Sequence, residues 1–147
     1  MSLEERPRVV LVNRCFIKND EGKILIICRA RQDRHNAGQW EVPGGKLDMG
    51  QDLSHALARE VLEETGLLVQ QTYPLVFADS YVIGTGSRYT GLPYVVLFSV
   101  GRVVGGSLTL SEEHSAYVWV TYAELFAYAI TVEVKKAAIR LGHLLER

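Results

Sequence analysis

The sequence predicts an α/β domain in which a mixed sheet lies between helices. Three observations carry this. Stretches of β-branched and apolar residues lie on both sides of one long helix-forming stretch. Clusters of Gly, Asn, Asp and Pro punctuate them. The resulting order of strands, helix, strands, helix is that of a layered α/β or α+β domain.

The chain has 147 residues, one domain's worth, so a single domain over 1–147 is expected, with residues 1–8 disordered or extraneous to it. A chain of this length buries roughly 68–70% of its unfolded surface without needing a disulfide or structural metal. With 48% hydrophobic and 22% charged residues it falls in the globular range, which excludes disorder. Seventeen acids against sixteen Lys and Arg leave a net charge of −1, so no nucleic-acid polymer is expected as partner. The apolar runs, such as Ile24–Cys28 and Tyr94–Phe98, fall far short of the roughly 20 residues that span a bilayer. Met1–Arg8 lacks the apolar core of a secretory signal. A cytoplasmic protein with no membrane partner is expected. Cys15 and Cys28, set in apolar alternating stretches, read as reduced, packed side chains.

The elements follow in order. Val9–Ile17 reads as a strand, Asn19–Gly22 as a turn and Lys23–Arg29 as the returning strand of a hairpin. Ala30–Gln39 is polar and reads as a loop. Trp40–Val42 is a short extended piece, which Pro43-Gly44-Gly45 should break. Asp52–Thr65 is rich in good helix formers, with Asp52 as N-cap and Gly66 as stop. Leu67–Gln71 and Val76–Ile83 read as two strands, Gly84–Pro93 as a loop and Tyr94–Val104 as a strong strand ended by Gly105-Gly106. Ser111–His114 is a polar loop before the strand Ala116–Val120. Thr121 and Glu124 have capping-box spacing, and Thr131 caps a last helix running to about Leu145.

The central helix carries the chemistry. At 100° per residue, Glu60, Glu63 and Glu64 share one arc. Val61, Ala58 and Leu62 are expected on the packed side, while Leu53 and Leu57 fit that division poorly. Three like charges in a last helical turn repel each other and oppose the helix dipole. Hard oxygen ligands at this spacing suit Mg²⁺ or Mn²⁺, although a solvated acidic face with Arg59 paired to Glu63 would look the same. The preceding Gly44-Gly45 lets backbone approach a cation or a phosphate.

From Gly45 the chain reads Gly45, five residues, Gln51, seven residues, Arg59-Glu60-Val61-Leu62-Glu63-Glu64-Thr65-Gly66-Leu67. This resembles the box of the Nudix hydrolases, G-x5-E-x7-R-E-U-x-E-E-x-G-U, where U is a bulky apolar residue. Eight of the nine defined positions match, and chance agreement at a given start is far below roughly one in a million. The lead-in Gly38–Gly45 and the length of the chain fit the same family. The resemblance implies an α/β/α sandwich with a mixed sheet and a loop–helix–loop catalytic box over 45–67. It implies hydrolysis, with Mg²⁺ or Mn²⁺, of a nucleoside diphosphate linked to another moiety. Carried over by position, the resemblance implies Glu63, Glu64 and the Gly45 carbonyl as metal ligands, Glu60 as a further ligand or as the residue that helps activate water, and Arg59 as the residue that orients the glutamates. Gln51 departs from the family's usual Glu. It reads as a tolerated change, with Asp48, Asp52 or Glu41 restoring charge; the alternative is a weakly catalytic nucleotide-binding module.

Outside the box, Glu113 with His114 resembles a late-loop base or ligand, against the reading of an exposed acidic loop. Arg29, ending the second strand, is expected to reach phosphates together with backbone at Gly44 and Gly45. Arg31, Arg88 and Tyr89 read as surface residues, and Trp40 as core. The favoured substrate is a nucleoside triphosphate, with an ordinary or a modified base, cleaved to monophosphate and pyrophosphate. ADP-ribose or a nucleotide sugar is the alternative, disfavoured because Ala78–Gly84 lacks the proline that marks that subgroup. Domains of this kind often form homodimers, for which Tyr94–Phe98 or the last helix would serve.

Overall fold

The structure is a computed structural model that describes residues 8–31, 37–48 and 50–147. Its sheet has the path β3-β2-β1-β6-β5, where β1 is Val10–Lys18, β2 Ile24–Arg29, β3 Trp40–Glu41, β5 Leu67–Val82 and β6 Pro93–Gly106. Off this path, β4 (Gly44–Lys46) pairs with β1, and β7 (His114–Val120) pairs with β2. The sheet is mixed: β1 and β6 run parallel, from Val10↔Tyr94 to Lys18↔Arg102, and the other pairs are antiparallel.

Alternation along the strands divides the core. Cys15, Ile17, Leu25 and Ile27 face one way and meet Leu57 and Val61 of α1 (Leu53–Thr65). Phe16, Ile24, Ile26 and Phe98 face the other way. They meet Leu125 of α2 (Tyr122–Leu125), Val134, Ala137 and Ala138 of α3 (Val132–Arg140) and Leu145 of α4 (Gly142–Leu145). Phe16 and Phe98 stack at 5.5 Å between ring centroids. Helices on both faces of a mixed sheet make the expected α/β sandwich. Cys15 is buried, Cys28 half-buried, and both are free thiols.

The caps form as the sequence requires. Asp52 accepts from the His55 N–H, and Gly66 closes α1 in the left-handed region at φ 74°. Thr121 and Glu124 complete a capping box at α2. Trp40 packs edge-on against Tyr128.

Several expectations need correction. Pro43 ends β3, but Gly44–Lys46 then forms β4 against Val12–Arg14 instead of a plain break. The two strands expected after α1 are one, β5, whose register slips around Thr72–Val76; there Pro74 supplies no N–H and Leu75 sits at φ 50°. The last helix is two, because Leu141 leaves helical geometry at φ −100°, ψ 13°. On α1, Leu62 is 44% exposed whereas Leu57 is fully buried. The packed arc is centred between Glu64 and Val61, so it overlaps the glutamate arc. Tyr94–Phe98 lies in β6, hydrogen-bonded on both sides by β1 and β5, so it offers no free edge for pairing two copies. The expected loop Ala30–Gln39 falls partly, and Met1–Pro7 wholly, outside the described residues. Among the described residues no helix is long and apolar enough to cross a membrane.

Candidate functional site

A cleft of about 790 Å³ opens along β1. Val10, Val12 and Arg14 alternate onto its floor beside Tyr94 and Val96 of β6, their parallel-register neighbours. The floor is therefore apolar at its Val10–Tyr94 end and cationic at Arg14, about 13 Å further along the strand. Gly44–Lys46 of β4 and Glu60 and Glu64 of α1 line the charged end; Val82–Thr85 line the apolar end.

The charged end is built around Glu41, which is buried at 1% exposure. Its carboxylate takes Arg14 Nη2 at 3.3 Å, Arg29 Nη1 at 3.2 Å and His114 Nε2 at 2.9 Å. Burial alone would raise this carboxyl. Arg14, the hydrogen bond from His114 and Arg29 outweigh it and hold the carboxyl down at about 2. Arg14 also donates to the Val42 carbonyl at 2.8 Å, which fixes its guanidinium on the floor.

Glu64 sits beyond His114. Its Oε1 accepts the Gly44 N–H at 2.7 Å, and its Oε2 lies 3.7 Å from His114 Nδ1. Burial dominates here: the Gly44 hydrogen bond, His114 and Arg14 offset it only in part, and the carboxyl is pushed up to about 7. Glu60 is half-buried and also raised, first by burial and then by Glu63, with Glu113 and Asp48 adding to it. Glu63 is exposed on its side chain and lies 3.7 Å from Arg59 Nε, while Glu60 is 3.8 Å from Arg59 Nη2. The three glutamates share an arc but occupy interior, cleft wall and rim.

Two glycines make this packing possible. A Cβ at Gly44 would meet the Asn13 carbonyl oxygen at 1.9 Å, and one at Gly45 would meet Glu60 Oε2 at 2.7 Å. Backbone at Gly45 and the Glu60 carboxylate thus converge in a space where a side chain at position 45 would displace the carboxylate. Glu41, Glu64 and His114 each offer one ligand atom within 4.8 Å of the others, a spacing compatible with a metal ion, but Glu41 is already engaged by Arg14 and Arg29.

The expected site residues are partly gathered. Arg29, Gly44, Gly45, Glu60, Glu64 and Glu113 line the cleft. Glu113 is exposed, with its carbonyl bonded to the Ala30 N–H at 2.9 Å. Arg59 and Glu63 stand at the rim. Gln51 accepts the Asp48 N–H at 3.1 Å and lines a smaller neighbouring hollow with Lys46 and Tyr89. His114 is not a loop residue and not exposed: it opens β7 and is buried. Its spacing of two, four and six from Ala116, Val118 and Val120 is the inward alternation that could have shown this. Arg14 was missed, though a lone cation in the alternation Val10, Val12, Arg14, Phe16 is a signal of the same kind. Glu133 and Tyr94, at the far end, had no sequence signal.

The chain matches the NUDIX domain family model over residues 9–141. It is 30% identical over 134 residues to a protein of Escherichia fergusonii named nucleoside triphosphatase NudI, covering 88% of this chain and 94% of that one. The protein of the same name from Escherichia coli is 30% identical over 135 residues, with the same coverage. Among solved structures, a MutT protein from Methanosarcina mazei superposes with a TM-score of 0.79 at 26% identity, over 97% of this chain and 99% of that one. A NUDIX hydrolase from Nitrosomonas europaea, at 23% identity and a TM-score of 0.76, shares the fold. With the matched span, the sandwich and the clefted helix in agreement, the chain belongs to the Nudix hydrolase family.

Proposed function

We propose that this protein is a cytoplasmic, single-domain, divalent-cation-dependent pyrophosphohydrolase that converts a nucleoside triphosphate to its monophosphate and pyrophosphate. One observation supports this above the others. The cleft joins a carboxylate-and-arginine end to an apolar floor about 13 Å along the strand, which is the layout of a ligand with a polyphosphate tail and a flat base. The relatives named nucleoside triphosphatases point the same way.

The Gly45 carbonyl, Glu60 and Glu64 would hold Mg²⁺ or Mn²⁺, joined by Glu63 from the rim. All are hard oxygens, and burial raises the Glu60 and Glu64 carboxyls more than Arg59, His114 and Arg14 lower them, so a further cation there would favour their charged forms. Glu41 is excluded from this role, because two guanidinium groups and an imidazole already occupy it. When bound, such an ion neutralises phosphate oxygens and acidifies water. Arg14 and Arg29 line the cleft and are held by Glu41, and as guanidinium groups they would bind phosphate oxygens there. Gly44 N–H fixes the Glu64 carboxylate, and Arg59 orients Glu60 and Glu63 by ion pairing with both. Glu60 or Glu113 takes the proton of the attacking water at a carboxylate oxygen. The water oxygen bonds to one phosphorus, and the bridging oxygen departs with the other. Gln51, outside the cleft lining, tolerates its change from Glu.

The test is a nucleotide panel with Mg²⁺ and identification of products for the wild type and Glu64→Gln. Monophosphate and pyrophosphate from the wild type, lost in the variant, support the reading. Orthophosphate release, or activity that survives Glu64→Gln, contradicts it.

A further inference from the structure

At the apolar end of the cleft, the Tyr94 hydroxyl donates to Glu133 Oε1 at 2.5 Å, and both side chains line the cleft. Glu133 enters from the first turn of α3. Tyr94 lies opposite Val10, so the pair sits four strand residues from Arg14. That is the reach of an extended nucleotide from its phosphates to its base.

The polarity of this pair is fixed. Tyr94 remains a phenol: burial, and then the hydrogen bond to Glu133, push its hydroxyl above the usual range. Its one hydrogen is committed to Glu133, so its oxygen has only lone pairs left to offer. A carboxylate accepts and does not donate. Lys136, one turn along α3, is taken by Asp79. Tyr81 stacks on Tyr94 at 5.5 Å and holds the ring in place.

We propose that Tyr94 and Glu133 read the base of the substrate and select bases that carry an exocyclic amine; this rests on the nucleoside triphosphate reading above. An amine turns N–H donors toward the two acceptors. A carbonyl at the same position sets oxygen against oxygen and leaves the acceptors unpaired. Cytosine and uracil differ in this way at C4, and adenine and hypoxanthine at C6; each carbonyl base also carries an N–H on the adjacent ring nitrogen, so the selection requires the two acceptors to face the exocyclic position. An acid in the first turn of α3 also favours the helix dipole, but that role acts on stability and leaves base preference unmoved.

The experiment compares kcat/KM for cytidine, uridine, adenosine and inosine triphosphates by pyrophosphate release. Each amino base is expected to exceed its carbonyl partner by about ten- to a hundred-fold. Glu133→Gln keeps the shape and adds an amide donor, so the cytidine-to-uridine ratio falls to one or inverts; Tyr94→Phe lowers it. Equal kcat/KM within both base pairs overturns the proposal, as does a ratio unmoved in a folded Glu133→Gln enzyme. The wild-type ratios decide alone where a variant does not fold. Pyrophosphate from none of the four instead overturns the triphosphate reading, and base selection with it.

Discussion

Glu41 and Glu64 are buried carboxylates in one group with His114, yet their surroundings drive them in opposite directions. Around Glu41, two guanidinium groups and an imidazole more than repay desolvation, and the carboxyl falls to about 2. Around Glu64, one backbone N–H and a more distant imidazole do not, and the carboxyl rises to about 7. The difference separates an anchor from a vacancy in charge. Glu41 is complete within the protein and orients the arginines. Burial disfavours the charged form of Glu64, so a further cation beside it would stabilise the carboxylate.

Four predictions would break or sharpen this contrast. The largest effect on stability is expected for Glu41→Gln, which removes the charge from a buried ion-pair hub. Breaking such a pair costs about 3–5 kcal/mol, read as a lower midpoint in urea unfolding. Glu64→Gln is expected to do the reverse to the fold while removing activity. Its kcat/KM should drop by about 10³-fold, as expected for a group that holds a catalytic cation.

The third prediction concerns pH. Glu41 is depressed in the folded state, so its contribution is complete above the ordinary carboxylate pKa of 4.5 and is lost as pH falls toward about 2. Glu64 is raised, so the folded state binds its proton more tightly than the unfolded chain does. The cation-free protein therefore loses stability as pH climbs from 4.5 to about 7. Urea midpoints across this range should fall in the wild type and stay flatter in Glu64→Gln. The smallest effect is expected for Gln51→Glu. Gln51 accepts the Asp48 N–H and lies outside the cleft lining, so kcat/KM is expected to move by no more than about twofold, the equivalent of about 0.5 kcal/mol. A larger gain in activity or metal affinity would show that Gln51 weakens the site.

Much of the fold was legible because it rests on local signals. The alternation in Val10–Lys18 and Ile24–Arg29, the Asp52 cap, the Gly66 stop and the Thr121–Glu124 box all act within a few residues. Gly44–Lys46 could not be seen as a strand, since its partner Val12–Arg14 lies thirty or more residues away. Leu57 and Leu62 exchanged roles because helical spacing does not say which arc meets the sheet. In the site, the box placed Glu60 and Glu64 on the cleft. Arg14, Glu41 and His114 meet only through the pairing of β1, β2, β3 and β7. Their network is a product of topology, and the exposed reading of His114 failed for that reason.

The most direct test is the thermal midpoint of the wild type and Glu64→Gln at about pH 8, each with chelator and with Mg²⁺. With chelator, the variant should melt a few degrees higher, the shift expected for a gain of about 1–2 kcal/mol. Mg²⁺ should raise the wild type by more than the variant and close the gap. A variant that melts lower with chelator, or an equal Mg²⁺ response in both proteins, would contradict the account of Glu64 as a charge awaiting its cation.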